Sequence, residues 1–179
     1  MGFTRRKLET ENELYDYAVG ALARRMRSIA ELKRLLRQRV EANTEIGKTL
    51  VELVIRRLKD QGYLNDAKYA AAYSAFRRDN EKFGRRRIET DLKIKGVHAE
   101  IIDTTIQSTF AEIDEEKQAR EYLRRKRMQK PQGQKQAAKI FRQLIRAGFA
   151  SKTAFTILKK WDVEDDLLTA LETENEAES

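Results

Sequence analysis

The sequence predicts an all-α protein of three tandem three-helix repeats that form an elongated, curved molecule. Charged residues make up 37% of the chain, and Arg, Lys, Glu, Leu and Ala dominate, as they do in long amphipathic helices. One Pro and eight Gly leave little support for long irregular loops. Apolar residues recur at steps of three and four along most of the chain, which is the spacing of one helix face.

One apolar pattern occurs twice along the chain and indicates the length of a repeat. Two apolar residues and a glycine stand at four-residue steps, and a further apolar residue follows the glycine. The two copies are Ile88, Leu92, Gly96 and Val97, and then, 52 positions later, Ile140, Leu144, Gly148 and Phe149. Because a repeat of about fifty residues is too small to bury its apolar face alone, neighbouring repeats are expected to stack along a line.

The predicted boundaries lie at the polar stretches and glycines between these patterns. Residues 1–12 are interpreted as a flexible lead-in. The three repeats are predicted at residues 13–64, 65–112 and 113–161. Residues 162–179 form an acidic C-terminal segment, which is either a docked helix or a frayed tail.

The first repeat begins with an amphipathic helix from residue 13 and ends with one that stops at Gly62. Ser28 and Glu31 have the spacing of a capping box, which satisfies two otherwise unpaired amides at the start of the middle helix. Two basic clusters lie on the faces of the first two helices away from their apolar residues: Arg24, Arg25 and Arg27, and then Lys33, Arg34 and Arg37.

The second repeat begins at Asn65 or Asp66, either of which can cap a helix. Its middle helix starts with a third basic cluster, Arg85, Arg86 and Arg87. Backbone amides at a helix start add to the positive potential, so a phosphate or an acidic side chain is favoured there. The glycines at positions 62, 96 and 148 are interpreted as helix stops, because each is followed by an apolar residue that can fold back on the last turn.

The third repeat opens at Asp114, and Pro131 breaks it after its first helix. That helix ends in a fourth basic cluster, made of Arg124, Arg125 and Arg127. The next helix has an apolar face, and opposite that face it carries a stripe of cations at i, i+4, i+7 and i+11. The stripe consists of Lys135, Lys139, Arg142 and Arg146.

Charge is distributed unevenly along the chain. Residues 162–179 contain eight acids and no Lys or Arg, which leaves 37 Lys and Arg against 21 acids in residues 1–161. A body this basic attracts polyanions, and nucleic acid is the most common polyanion in a cell. The alternative for each basic cluster is a solvated helix face without a ligand.

Several classes of function lack support in the sequence. The absence of Cys excludes disulfides and thiolate metal sites and fits a reducing cytosol, and no apolar run is long enough to span a membrane. His98 is the only histidine, and the Gly47-Lys48-Thr49 sequence has Ala42 where a phosphate-binding loop requires glycine. No nucleophile, base and orienting group can be assembled. We therefore predict a cytoplasmic protein with no cofactor, no metal and no enzymatic activity.

Three blocks of sequence, taken in their order and spacing, resemble the RecX family. They read SIAEL at 28–32, GYLND at 62–66, and GRRRI at 84–88 followed by KGV at 95–97. The resemblance covers about residues 20–106, whereas the third repeat matches only in its helical pattern. The chain departs from the family pattern at Asn65, at Arg85 and in its acidic end.

The resemblance implies a regulator of the recombinase RecA that acts in DNA repair, homologous recombination and the SOS response. Such a protein binds in the groove of the RecA filament on single-stranded DNA, and it inhibits the ATPase and strand exchange by limiting filament growth. We expect a monomer whose partners are the RecA filament and DNA, single-stranded first and double-stranded second. Which of the basic clusters contacts RecA and which contacts DNA is left open.

The alternative function is a general nucleic-acid-binding helical repeat protein without a dedicated protein partner. It would bind bare DNA or RNA tightly and with a steep dependence on salt. An enzyme is a third, weaker alternative, since no catalytic constellation is visible in the sequence.

Overall fold

A computed structural model describes residues 6–41, 44–163, 166, 169–170 and 173, and within those residues it contains nine α-helices and no strand. The predicted all-α class is confirmed. The helices are α1 (Glu11–Arg24), α2 (Ile29–Arg37), α3 (Glu45–Asp60), α4 (Asp66–Asp79), α5 (Arg85–Ile94), α6 (Ala99–Phe110), α7 (Glu115–Arg125), α8 (Gln134–Arg146) and α9 (Ser151–Lys159).

Two of the predicted features lie largely or wholly outside the described residues. These are most of the acidic segment 162–179 and Ala42, on which the argument against a phosphate-binding loop depends. None of the helices in the described ranges is both long enough and apolar enough to cross a membrane.

The chain folds into two compact parts, here called the first and second lobes. Met1–Ala72 with Leu92–Asp103 form the first lobe, and Tyr73–Asp91 with Thr104–Ser179 form the second. Helices α4, α5 and α6 are therefore each divided between the two lobes. The three predicted repeats and the elongated shape stay predictions.

Apolar faces of α1, α2 and α3 form the core of the first lobe. Leu14, Leu32, Leu36 and Leu58 are fully buried there. Helix α1 begins at Glu11 rather than at residue 13, because the Thr10 side chain accepts a hydrogen bond from the Glu13 amide. The apolar periodicity starts later than this polar cap, so it did not reveal the first turn.

The second lobe has its core where α7, α8 and α9 meet. Tyr122 and Leu123 from α7 pack with Phe141 and Leu144 from α8 and with Leu158 from α9. Aromatic contacts add direction to this packing, as offset or edge-on ring pairs do generally: the Tyr122 and Phe149 rings are 5.8 Å apart and edge-on, and the Phe141 and Phe155 rings are stacked at 4.9 Å.

Helices α3, α5 and α8 each end at a glycine in the left-handed region, as predicted. Gly62, Gly96 and Gly148 have φ of 76°, 72° and 91°. In each case the next amide donates back to the helix: Tyr63 to Leu58, Val97 to Leu92, and Phe149 to Leu144, at 3.0–3.2 Å. This is the hydrogen-bond pattern of a Schellman motif, and it satisfies carbonyls that the helix end would leave unpaired.

The side chain after the glycine folds back in only two of these three turns. Val97 and Phe149 are 6% and 0% exposed, but Tyr63 is 63% exposed. Leu64 takes the buried place instead and is 4% exposed. The predicted fold-back is therefore wrong for Tyr63, because the chain continues by one residue before an apolar side chain reaches the core.

Substitution of Gly148 by alanine is expected to destabilise the protein strongly. Its left-handed φ disfavours a side chain, and a Cβ at this position would overlap the backbone of Arg87. We predict a loss of at least about 2 kcal/mol in the free energy of unfolding, measured by chemical denaturation.

The matched control is Gly20→Ala in α1, where an added Cβ meets no atom within 4 Å. That change should stabilise the protein by roughly 0.5–1 kcal/mol, since alanine replaces a glycine in a helix interior. Equal stability of the two variants would contradict this account of Gly148.

Candidate partner-binding surface

Three of the sequence-predicted basic clusters adjoin one segment of the second lobe, residues 81–87. Arg125, at the end of α7, forms an ion pair with Glu81 at 3.5 Å. At the start of α5, the Gly84 amide donates to the Ala147 carbonyl at 2.8 Å and the Arg86 amide donates to the Gly148 carbonyl at 3.1 Å. The start of α5, the end of α7 and the end of the α8 stripe are therefore neighbours.

The contact between α5 and α8 requires a glycine on both sides. A Cβ at Gly84 would overlap the carbonyl of Gly148, and a Cβ at Gly148 would overlap the backbone of Arg87. Without side chains at these two positions, the backbones come close enough for the carbonyls that end α8 to accept from the amides that start α5. This pairing over 64 positions of sequence has no local signature, and the sequence analysis did not find it.

Two of the amides that were predicted to favour a phosphate at the start of α5 are therefore already engaged. Carbonyl oxygens of Ala147 and Gly148 already accept from the amides of Gly84 and Arg86. An anion could reach those amides only by displacing the turn that follows α8. The positive character of this region comes instead from side chains.

Arg87 is held within the second lobe by a second contact that the sequence analysis missed. Its Nε lies 3.2 Å from Oδ1 of Asp91, a carboxylate that is 8% exposed. Asp91 also accepts from the Tyr73 hydroxyl at 2.9 Å and from Arg77 at 3.3 Å. The only sequence signal for this cluster is the i, i+4 spacing of Arg87 and Asp91, which is common on helix surfaces.

The Asp91 cluster also shifts the pKa of Tyr73. Burial raises the pKa of the Tyr73 hydroxyl above its ordinary value of 10.0, and the adjacent Asp91 carboxylate raises it further.

The guanidinium groups of Arg77 and Arg87 both lie over the Phe83 ring, with centroid distances of 5.0 and 5.8 Å. Arg87 is thus a structural residue at the edge of the basic region.

Five arginines of the second lobe are exposed and form no ion pair with any residue that the structure describes. We call them the second-lobe basic surface: Arg85, Arg86, Arg124, Arg127 and Arg146. Arg127 is unusual because it is a non-glycine residue in the left-handed region, with φ of 55°. Its amide and that of Met128 donate to the last turn of α7, so Arg127 stands where glycine usually ends a helix.

The stripe on α8 lies on the exposed face, as predicted. Lys135, Lys139, Arg142 and Arg146 are all exposed, whereas the opposite face is buried in the core of the second lobe. The stripe therefore continues the second-lobe basic surface along α8.

Only half of the cations in the two basic clusters of the first lobe are available to bind a partner. Arg24, Arg25 and Arg37 are exposed without an ion pair in the described part of the chain. The other three are engaged: Arg27 donates to the Ala21 carbonyl at 3.4 Å, Lys33 pairs with Glu52 at 2.8 Å, and Arg34 donates to the Ile94 carbonyl at 3.4 Å.

A polar network in the first lobe joins the three sequence blocks that carry the family resemblance. The Ser28–Glu31 capping box is confirmed, and the Ser28 hydroxyl donates to the Lys95 carbonyl at 2.6 Å. Glu31 pairs with the Lys95 ammonium at 3.1 Å and accepts from the Tyr69 hydroxyl at 3.2 Å. Residues 28–31, 69 and 95 thus hold one another in place.

Asp66 completes this network and does not cap its own helix. Its carboxylate accepts from the Ile29 amide at 2.8 Å. Asn65 is the residue that caps α4, because its side chain accepts from the Lys68 amide at 2.9 Å. Of the two predicted caps, Asn65 is confirmed and Asp66 has the different role of joining α4 to α2.

Glu31 and Asp66 have pKa shifts of opposite sign. Burial alone would raise the pKa of Glu31, but hydrogen bonds from the Ser28 amide and the Lys95 ammonium outweigh it and hold the pKa below 4.5. Burial raises the pKa of Asp66 above 3.8, despite the hydrogen bond from Ile29. Burial, with the nearby Glu31 carboxylate, also raises the pKa of Tyr69 well above 10.0.

Comparisons with known proteins identify the family of this chain. Residues 65–106 match the family model described as RecX, second three-helix domain. A protein of Leptothrix cholodnii named Regulatory protein RecX is 34% identical over 149 residues, which are 83% of this chain and 89% of that protein. The chain belongs to the RecX family. The resemblance predicted from the three sequence blocks is confirmed.

Other RecX proteins match over differing shares of their length. The Regulatory protein RecX of Deinococcus radiodurans is 30% identical over 152 residues, covering 85% of this chain and 70% of that protein. The one of Listeria innocua is 28% identical over 138 residues, covering 76% of this chain and 49% of that protein. The chain thus spans only about half the length of some of its relatives.

Two solved RecX structures share the fold of this chain. One, titled crystal structure of regulatory protein RecX, has a TM-score of 0.62 at 22% identity and covers 84% of this chain and 71% of its own. RecX from Lactobacillus salivarius has a TM-score of 0.61 at 21% identity and covers 85% and 96%. These likenesses support the all-helical RecX fold.

The opposite pKa shifts predict opposite effects of neutralising Glu31 and Asp66. Because the folded pKa of Glu31 is lowered, its carboxylate contributes stability above pH 4.5 that is lost as the pH falls through the folded pKa. We expect Glu31→Gln to reduce the free energy of unfolding at pH 7 by about 1 kcal/mol, and by less at pH 3.

Asp66→Asn is the matched comparison, since it removes a charge and keeps an acceptor for the Ile29 amide. The raised pKa of Asp66 means that its charged form opposes folding above the folded pKa, and that this opposition is absent below 3.8. Stability at pH 7 should be unchanged or higher. A loss at pH 7 as large as that of Glu31→Gln would contradict this assignment.

Proposed function

We propose that this protein is a non-enzymatic modulator of the recombinase RecA that binds RecA filaments on single-stranded DNA and inhibits them. The observation that carries the proposal is membership of the RecX family, whose matched relatives are named regulatory proteins. A cytoplasmic, monomeric protein is part of the proposal. Binding in the filament groove would limit filament growth and thereby the ATPase and strand exchange.

The second-lobe basic surface supports this proposal on chemical grounds. Guanidinium groups bind phosphates and carboxylates through paired hydrogen bonds, and they remain charged at any physiological pH. A nucleoprotein filament offers both groups, on its DNA and on acidic side chains of the protein. Because Arg85, Arg86, Arg124, Arg127 and Arg146 form no internal ion pair among the described residues, binding need not first break one.

The position of the surface adds a second argument. Arg85 and Arg86 begin a helix whose first amides are tied to the end of α8. Their backbone is therefore ordered before any partner arrives, and less conformational entropy is lost on binding. The α8 stripe extends the same positive charge along an exposed helix face.

The principal test is the ATPase of RecA on single-stranded DNA. The wild-type protein should suppress it at substoichiometric ratios, and Arg85→Glu with Arg86→Glu should weaken suppression about tenfold or more, since two contacts become repulsive. The matched control is Arg56→Glu with Lys152→Glu, two exposed cations outside all the basic clusters. Circular dichroism should show equal helicity in both variants.

Three results would count against the proposal or its surface. If a tenfold excess of the wild-type protein over RecA leaves the ATPase and the filament length unchanged, the proposed function is wrong. If the control variant loses as much activity as the Arg85 and Arg86 variant, the second-lobe basic surface is not the contact. Binding to bare DNA that is as tight as binding to the filament would favour a general nucleic-acid-binding protein.

The salt dependence of binding to bare single-stranded DNA separates DNA contacts from RecA contacts. Each phosphate contact contributes about 0.7 to the slope of log affinity against log salt for single strands. If Arg85 and Arg86 bind phosphates, their reversal should reduce the slope by about 1.4, measured by fluorescence anisotropy with a labelled oligothymidine. An unchanged slope together with weakened filament binding would assign both residues to RecA.

A further inference from the structure

A groove in the first lobe has no role in the proposed function. It opens between the end of α1 and the turn from α3 to α4, with a volume of about 190 Å³. The side chains that shape it are Leu22, Met26, Arg27, Tyr63, Lys68 and Tyr69. Leu22, Met26 and the two tyrosines supply apolar surface, and Arg27 and Lys68 supply cations.

Tyr63 in this groove is not accounted for by the fold. It follows the glycine of a Schellman turn, as do Val97 and Phe149, and its amide makes the equivalent hydrogen bond. Yet Val97 and Phe149 are buried, whereas Tyr63 is 63% exposed. Of the three glycine turns, only the one at Gly62 leaves the next apolar side chain outside the core.

A second exposed apolar side chain, Met26, lies in the same groove as Tyr63. It is 57% exposed and lines the same groove. Single exposed apolar residues are common and need no explanation, but Met26 and Tyr63 line one groove and can contact the same bound side chain. Methionine and tyrosine are also enriched at protein-binding surfaces, where methionine adapts its shape and tyrosine offers a rigid apolar face.

The charged side chains that line the groove are cations, whereas the nearby carboxylates of Glu31 and Asp66 are engaged in the polar network of the first lobe. Arg27 and Lys68 line it, and Arg24 and Arg25 are exposed at the same end of α1. None of its lining residues is Asp or Glu. Cations in the last turn of α1 are favoured by the helix dipole, which accounts for Arg24 but not for the apolar side chains beside it.

A groove lined by apolar and cationic side chains is complementary to an acidic peptide that carries an apolar side chain. Carboxylates pair with arginine in fixed geometry, and an apolar anchor gains by leaving water. Nucleic acid fits less well, because Leu22 and Met26 in the lining are not aromatic and bases stack best on aromatic rings.

We propose that this groove is a docking site for an acidic peptide segment of a partner protein. One apolar side chain of the peptide lies between Met26 and Tyr63, and its carboxylates pair with Arg24, Arg25 and Lys68. The site consists of residues other than those of the second-lobe basic surface. The proposal is therefore independent of the identification of RecA as the partner.

The test measures binding of the full chain to a fluorescein-labelled peptide of nine residues, with leucine at every third position and glutamate elsewhere. Tyr63→Ala should weaken binding about fivefold or more, as loss of an interface anchor does. Replacement of both Arg24 and Arg25 by Gln should weaken it about tenfold at low salt. The same peptide with serine in place of leucine should bind at least about fivefold more weakly than the parent.

Matched controls separate the groove from general effects of charge and exposure. Phe76 is 56% exposed and is not among the groove residues, so Phe76→Ala should leave peptide binding unchanged. Arg56→Gln with Lys152→Gln removes the same charge as the Arg24 and Arg25 variant from exposed positions that do not line the groove, and it should weaken binding less than twofold. All variants should keep the wild-type helicity by circular dichroism.

Any of three outcomes would overturn the proposal. The wild-type protein could fail to bind the peptide below 1 mM, or Tyr63→Ala could leave its affinity unchanged. Alternatively, Tyr63→Ala could weaken the binding of a labelled oligothymidine and leave peptide binding unchanged, which would make the groove a nucleic-acid site. Suppression of the RecA ATPase is measured in parallel, and its failure would leave the peptide result intact.

Discussion

The backbone contact between Gly84 and Gly148 determines how the basic surface of the second lobe is built. It joins the start of α5 to the end of α8 through amide-to-carbonyl hydrogen bonds rather than through side chains. The side chains of Arg85 and Arg86 consequently face solvent, since they are not needed for this packing. The same contact engages the amides of Gly84 and Arg86, so the positive charge exposed here belongs to the arginine side chains.

The first lobe is held together by a different kind of constraint, a half-buried polar network. Ser28, Glu31, Tyr69 and Lys95 bind one another, and Asp66 accepts from the adjacent Ile29 amide, so that each hydrogen bond leaves fewer polar groups unsatisfied. These residues also lie in or next to the sequence blocks that resemble the RecX family. The blocks are thus recognisable because they specify a structure, and the residues that contact a partner need not lie within them.

Local chemistry made much of the fold predictable from the sequence. Capping residues such as Ser28 and Asp114, and glycine stops at Gly62, Gly96 and Gly148, act within one helix turn and are visible as short patterns. The exposed stripe on α8 follows from helical periodicity alone. The Gly84–Gly148 contact and the binding of Ile29 by Asp66 were not predictable, because they join residues far apart in sequence. Exposure of Tyr63 depends on which of two adjacent apolar residues reaches the core, and periodicity does not decide that.

The backbone conformation of Arg127 lowers the stability of the fold, and it places a cation at the end of α7. A left-handed backbone costs an L-amino acid other than glycine about 1–2 kcal/mol, and α3, α5 and α8 each end at a glycine in this conformation. At the end of α7 the chain instead has an arginine at φ of 55°. The folded state is therefore less stable than a glycine would make it, and in exchange a cation is fixed at a rigid turn rather than on a frayed helix end. The second lobe thus gives up some stability and holds a positive charge at one fixed position.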